Sequence, residues 1–287
     1  MHLRPPRTIW LYGLAAALVV LAVPAIGELR CLPNWRSICT LGFSPDGQML
    51  LAGLYDGRSY NEDFHYLLSN VGQTVALYDA RTGKQAGNLV QLRNAGPYLG
   101  IPSTPLGRFL AFSPDGTTLA IAGWDGTVQL WDWQAKELSQ TLRSQLQRFR
   151  AVTFSSQGRH LIAGGRSGLW IWDTQSPGAG SFVDSNCSAR EIASARESNL
   201  VAIADRHCPW VEVLDCDSGK KTRIDLGKSN GALAVSFSPD GRSLAIGGTE
   251  SVLIWNLSNE TKQFEVVSHW AQDIAFSPES GFKKLVD

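Results

Sequence analysis

The chain has 287 residues, 44% of them hydrophobic and 18% charged, with 26 basic and 26 acidic residues that cancel. This is the composition of a globular protein long enough to bury a sizeable core. The balanced charge excludes a general nucleic-acid binder, which needs a basic excess to displace counterions from phosphates.

Residues 1–27 stand apart from the rest. Arg4 and Arg7 precede an apolar run at 9–26, 18 residues long, followed by Glu28 and Arg30. The run has no polar face, is long for the core of a signal peptide, and lies near the lower limit of about 17 to 25 residues for a membrane span. Ala25 and Gly27 are small enough to permit cleavage before Glu28, so a cleaved signal and an uncleaved single-pass anchor both stay open. Either way the basic start remains inside, and residues 28–287 are expected outside the cytoplasm, secreted, periplasmic or membrane-anchored.

From residue 38 onward, short apolar runs alternate with tight-turn signals. The first unit has runs at 38–43, 49–53, 74–79 and near 85–91, with FSPDG at 43–47 and Asp56-Gly57 after the second run. An insertion at 58–73 carries Tyr60, Asp63, Phe64, His65 and Tyr66, and a second long connection at 92–107, rich in Gly and Pro, carries Tyr98. Loops this long within a compact domain are functional or disordered, and the aromatic content of the first favours function.

The second unit, 108–142, is the clearest: FSPDG at 112–116, LAIAG at 119–123, Asp125-Gly126, then TVQLWD at 127–132. Turn dipeptides between short β-prone runs mark hairpins. LAIAG shows no polar alternation, which predicts a strand buried on both faces. The connection that follows, 143–150, holds Arg143, Arg148 and Arg150. A third unit, 151–183, repeats the turn as FSSQG at 154–158 and carries Trp170 and Trp172. The fourth, 189–226, is the most divergent, with SARESNLVAIAD at 194–205 followed by Arg206, His207 and Cys208. The fifth, 233–266, has FSPDG at 237–241, and a partial sixth begins at 272 with FSPES at 276–280.

The leading phenylalanines are separated by 69, 42, 83 and 39 residues, and the degenerate fourth copy splits the interval of 83 almost in half. A period of about 40 to 45 with four strands per repeat is that of a propeller blade. The repeat ends agree in phase: ALYDARTGK, QLWDWQAKE, WIWDTQSPG, EVLDCDSGK and LIWNLSNET. On these motifs, over roughly residues 37–281, the chain resembles the WD-repeat (WD40) family of β-propellers. The resemblance implies an all-β fold: a β-propeller of four-stranded antiparallel blades, five complete blades plus a partial sixth, preceded by an N-terminal hydrophobic helix. A ring that stops at a fragment reads as a truncated chain, or as one whose open edge at blade 6 pairs with another chain. The family's polar tetrad is matched in the second unit only at Asp125 and Trp131, while the fifth keeps Trp255 but has Ile246 and Glu250. Apolar packing is therefore expected to carry most of the stability.

Strands a to d of an antiparallel blade reverse direction each time, so b–c and d–a connections emerge on one face. Both long connections, the arginines of 143–150 and the turn at 205–209 share that face. The candidate partner contacts are Tyr60, Phe64, His65, Tyr66, Tyr98, Arg148 and Arg206, aromatics and arginine being the residues that dominate interface energetics. Trp124 and Trp210, at b–c turns on the same face, are expected near solvent. Of the five cysteines, Cys31, Cys39, Cys187, Cys208 and Cys216, none has zinc-site spacing. An exported chain permits disulfides, and Cys187 with Cys208, on that face, is the candidate pair.

No catalytic, cofactor or metal residue is assigned. The histidines fall in no ligand spacing, no GxSxG elbow occurs, and Gly227-Lys228-Ser229 lacks the upstream glycine of a phosphate loop, having Thr222 there. Asp215-Cys216-Asp217-Ser218-Gly219 looks like a calcium loop but occupies the register of a c–d turn. The reading is a non-catalytic, exported or membrane-tethered interaction scaffold for a protein or peptide, without cofactor or nucleic acid, touching membrane through 9–26 if uncleaved. The alternative is a propeller hydrolase or lyase with its site at the central channel mouth, which needs acidic or histidine ligands converging from several blades.

Overall fold

The computed structural model describes residues 36–44, 46–56, 73–92, 109–123, 126–144, 149–166, 168–176, 178, 180–185, 187–227, 231–267, 271, 274 and 276. The expected leader at 1–27, the two long connections and most of the sixth unit lie outside these residues. Among the described residues no helix is long and apolar enough to cross a membrane.

Twenty strands form five four-stranded antiparallel sheets, each in simple chain order. Blade 1 comprises β1 (Arg36–Phe43), β2 (Met49–Asp56), β3 (Gln73–Asp79) and β4 (Gln85–Leu92); blade 2 comprises β5 (Leu110–Phe112), β6 (Thr118–Ala122), β7 (Thr127–Asp132) and β8 (Glu137–Arg143). Blade 3 is β9 (Phe149–Phe154), β10 (His160–Gly165), β11 (Gly168–Asp173) and β12 (Ser181–Asp184). Blade 4 is β13 (Glu191–Ser194), β14 (Leu200–Ala204), β15 (Trp210–Asp215) and β16 (Lys221–Asp225), and blade 5 is β17 (Ala232–Phe237), β18 (Ser243–Gly248), β19 (Ser251–Asn256) and β20 (Thr261–Val267). The first strands touch in succession, β1 to β5 to β9 to β13 to β17, as the inner strands of adjacent propeller blades do.

The core is not one mass but four interfaces, one between each pair of neighbouring blades. Second strands explain why. In β6, Leu119 and Ile121 pack against blade 1 while Ala120 and Ala122 pack against blade 3. In β14, Val201 and Ile203 face blade 3 while Ala202 and Ala204 face blade 5. The period-two alternation of a strand is thus still present, but it alternates large with small between two dry faces rather than apolar with polar. The backbone repeats the link. The N–H of Phe149 donates to the Gly123 carbonyl (3.2 Å), Ala189 to Gly165 (2.8 Å), Ala232 to Asp205 (3.1 Å) and Ala271 to Gly248 (3.1 Å). Each bond ties the start of one inner strand to the end of the preceding second strand. Contact is close enough that a Cβ on Gly164 would come within 2.5 Å of Ile192 Cδ1, and one on Gly247 within 2.6 Å of the Ala271 carbonyl oxygen.

The recurring turn motif has a local mechanism. In FSPDG of blade 2, the Ser113 N–H donates to the Thr118 carbonyl (2.8 Å) and the Ser113 hydroxyl accepts from the Thr118 N–H (2.9 Å). That hydroxyl in turn donates to Asp115 Oδ1 at 2.5 Å, and Gly116 closes the turn at φ 73°, where a side chain would be strained. Ser44 and Ser238 repeat the arrangement with Asp46 and Asp240. At the c–d turns Asp79, Asp132, Asp173, Asp215 and Asn256 each accept from backbone N–H groups two or three residues on. Asp215 is therefore a turn cap, as its register suggested.

Two measurements follow from this packing. Leu119→Ala, at a fully buried position, is expected to cost about 2–5 kcal/mol in urea unfolding, whereas Leu138→Ala, 46% exposed on an outer strand, should cost under about 1 kcal/mol; similar losses would contradict a stability held between blades. The second concerns pH. The Ser113 hydroxyl, then the Thr117 N–H, hold the Asp115 carboxyl below its usual range, and Ser238 with the Arg242 N–H does the same for Asp240. A lowered folded-state pKa stabilises above the unfolded value of about 3.9 and stops doing so as pH falls through the folded value. Stability should therefore drop below about pH 4, and the Ser113→Ala/Ser238→Ala variant should show a shallower drop.

Candidate functional site

The register of blade 1 fixes where its long connections depart. Gln73 opposes Tyr55 on one side and Leu92 on the other, so β2 and β4 end, and β3 begins, at the same end of the sheet. The connections 58–73 and 92–107 thus leave from one face, with the other b–c and d–a connections. Tyr60, Phe64, His65, Tyr66, Tyr98, Arg148 and Trp124 lie outside the described residues. Arg206 is described, and the site can be built around it.

Arg206 sits in the b–c turn of blade 4. Buried Asp205 shapes this turn: its side chain accepts from the His207 N–H (2.8 Å) and its carbonyl from the N–H of Cys208 (3.1 Å) and of Ala232 (3.1 Å). Gly231 is pressed so closely on the Arg206 carbonyl that a Cβ would lie 2.1 Å from its oxygen. The Arg206 Nε donates to His207 Nε2 at 2.9 Å, which leaves its two terminal nitrogens for other partners. Cys208, in the same turn, is joined to Cys187 of the preceding d–a connection; their Cα atoms are 6.0 Å apart and both side chains are buried. Ser185 braces the other strand of this link, donating to the Cys187 carbonyl at 2.9 Å.

Arg190 belongs to the same place, and the sequence alone did not single it out. Arg190, Glu191, Arg206, Ala232 and Leu233 line a small depression where the inner strands of blades 4 and 5 begin. The Arg190 Nε is buried and has no hydrogen-bond partner among the described residues. Burial, then the guanidinium groups of Arg150 and Arg206, pull the Arg190 pKa down, with Asp205 opposing. A positional signal existed. Four residues before the first residue of the six turn motifs stand Cys39, Arg108, Arg150, Arg190, Leu233 and Gln272, so arginine recurs at one register of three consecutive repeats. The fourth motif is so degenerate that this count is hard to make without coordinates. Arg108 lies outside the described residues.

The tryptophans differ from expectation at one point. Trp210 is not a solvent-facing turn residue: it opens β15, half-buried, with the Arg223 guanidinium 5.1 Å from its ring centroid. Its Nε1, like those of Trp170 and Trp255, is buried without a partner, and Trp131 Nε1 donates only to neighbouring Gln129 at 3.0 Å. The indole groups thus serve as apolar bulk. Behind Trp210, the Glu212 carboxylate is buried 3.3 Å from Lys221 Nζ and 3.8 Å from Arg223 Nε, a charge neutralised from the adjacent strand. Among the described residues no three His, Cys, Asp or Glu side chains gather as metal ligands would.

Comparison with known proteins places these repeats. The family model described as WD domain, G-beta repeat, matches residues 108–132 and 219–256. Nuclear distribution protein nudF of Aspergillus niger is 23% identical over 184 residues, 61% of this chain and 42% of that one. SEC12-like protein 2 of Arabidopsis thaliana is 26% identical over 216 residues, 70% of this chain and 52% of its own. The chain therefore spans about half the length of these curated relatives or less. A chain in the crystal structure of the mitotic checkpoint complex aligns with a TM-score of 0.65 at 20% identity, covering 85% of this chain and 69% of that one, a likeness of fold.

A reactivity test separates Cys216 from the joined pair. Burial, then Asp215 and Asp217, push the Cys216 thiol up to about 12. At pH 8 about one such thiol in ten thousand is ionised, so the native protein should label at Cys216 with iodoacetamide far more slowly than the urea-unfolded protein. Equal rates would contradict the burial.

Proposed function

We propose that this chain, which belongs to the WD-repeat (WD40) family of β-propellers, is a non-catalytic scaffold that binds a protein or peptide through its b–c and d–a face. The observation that carries the reading is the common exit of the two long connections beside the start of β3, on the face that also bears Arg206. A propeller presents its rim loops on a rigid frame, and recognition residues gather on loops so held. Tyr60, Phe64, His65, Tyr66, Tyr98 and Arg148 are the further contacts proposed on that face. WD-repeat proteins in general act as interaction scaffolds, which supports the class of function without naming the partner.

We further propose that the propeller works outside the cytoplasm, released by cleavage before Glu28 or tethered through 9–26. The apolar run after Arg4 and Arg7 supports this, as does the joined Cys187–Cys208 pair, since such bonds persist in oxidising compartments.

Two experiments test these readings. Replacing residues 58–73 with a short Gly-Ser turn should abolish capture of the partner recovered by the wild-type chain while leaving its thermal unfolding unchanged; undiminished recovery would count against the face. N-terminal sequencing of the protein from its native host should begin at Glu28 if the leader is removed, or find Met1 on a membrane-bound chain; a soluble cytoplasmic chain starting at Met1 would end the export proposal.

A further inference from the structure

We propose that the Cys187–Cys208 bond is an oxidation-dependent closure of blade 4: it fastens the open end of the β13–β14 hairpin, whose turn lacks the network of the other blades, so the blade is completed only where thiols are oxidised. The place where the bond forms rests on the export reading; its effect on the blade does not.

Four of the five a–b turns share one arrangement. The hydroxyls of Ser44, Ser113, Ser155 and Ser238 accept from the N–H that opens the next strand, that of Met49, Thr118, His160 and Ser243, at 2.9–3.0 Å. Gly47, Gly116, Gly158 and Gly241 close these turns at positive φ. Blade 4 has Ala195 in place of the serine and Ser198 in place of the glycine. The Ala195 N–H still donates to the Leu200 carbonyl (3.0 Å), but Ala195 offers no hydroxyl to the Leu200 N–H in return. The Ser198 Oγ is buried with no hydrogen-bond partner among the described residues. Side chains brace this turn from outside: Asn199 donates to Asp217 (2.7 Å) and accepts from Ser156 of blade 3 (3.3 Å). The first of these bonds is exposed, where water competes for it.

The covalent bond stands at the opposite end of the same hairpin. Its last ladder pair is Glu191 with Ala204, and Cys187 and Cys208 each lie four positions beyond, so the bond continues the register of β13 and β14. Among the described residues, the one disulfide is thus in the one blade without the turn network. These two strands also join the blades on either side. Ile192, Val201 and Ile203 pack on blade 3, while Ala193, Ala195, Ala202 and Ala204 pack on blade 5. With the bond open, the hairpin rests on a short ladder, and the contact between blades 3 and 5 through it loosens as well. Closure is a thiol–disulfide exchange: the two thiols give two protons and two electrons to the disulfide of an exchange protein, which leaves as a dithiol as the Sγ–Sγ bond forms. Cys216, in the same blade, does not compete. Burial, then Asp215 and Asp217, push its thiol up to about 12, and only a thiolate attacks.

The test uses the full chain, purified oxidised in mild detergent, with hydrogen–deuterium exchange read by mass spectrometry and dithiothreitol as reductant. Reduction should speed exchange across 191–204 at least about tenfold and leave 110–122 of blade 2 unchanged. Cys187→Ser/Cys208→Ser should exchange like reduced wild type and ignore dithiothreitol. Adding Ala195→Ser, Glu197→Asp and Ser198→Gly to that variant rebuilds the turn of blade 2 and should restore most of the protection. If the serine variant does not accumulate, the same three substitutions in the wild-type chain should blunt its response to dithiothreitol. Unchanged exchange at 191–204 on reduction would overturn the proposal, as would equal acceleration in every blade or a rebuilt turn that restores nothing. A chain cleaved before Glu28 whose 191–204 segment ignores dithiothreitol would keep the export reading and remove this one.

Discussion

Everything in this structure depends on strands that are dry on both faces. A strand with water on one side can satisfy itself with polar residues there, but β6, β10, β14 and β18 lie between two neighbours and have no such side. In β6 and β14 large residues fill the interface with the preceding blade and small ones admit the next, whereas β10 turns Leu161 and Ala163 to blade 2 and Ile162 to blade 4; an added methyl group on Gly164 or Gly247 has nowhere to go. The turn network of Ser113 and Asp115 and its copies then fixes the hairpins that deliver these strands in register. With the apolar interfaces supplying the stability, the indole N–H groups of Trp170, Trp210 and Trp255 remain without partners at a tolerable cost.

The same constraint frees the rim. In sequence, the connections on the b–c and d–a face vary in length, as at 58–73 and 92–107, and carry charge, as at Arg190 and Arg206, while the strands between them keep one pattern. The exception is blade 4, where the turn after β14 is fastened by Asp205, by the close approach of Gly231 and by Cys208.

Much of the frame was legible before any coordinates. The unbroken LAIAG run stated its two-sided burial, and the spacing of FSPDG stated the blade period. Less legible were features that depend on aligning a degenerate repeat. In blade 4 the motif has Ala195 for the serine and no glycine turn, so the equivalence of Arg190 with Arg150 emerges only when β13 is seen beside β9. Trp133 was equally hidden: placed in a c–d turn, it is nonetheless buried, its Nε1 donating to the Gly116 carbonyl (2.8 Å) and its ring edge-on to Phe112. Trp210 belongs to β15 rather than to the turn before it because Asp205, not the tryptophan, ends the preceding strand. Position in a hairpin can be read from composition; which way a large ring swings cannot.

The bonds from Phe149, Ala189, Ala232 and Ala271 to the carbonyls behind them join backbone to backbone and consult no side chain. A joint of that kind accepts any unit of the right shape, so duplication or exchange of a blade leaves its seams intact. The energetics of such an array are those of nearest neighbours in a row. Strain in one blade is then felt first at the two interfaces it shares with its own neighbours, and reaches more distant blades only through them.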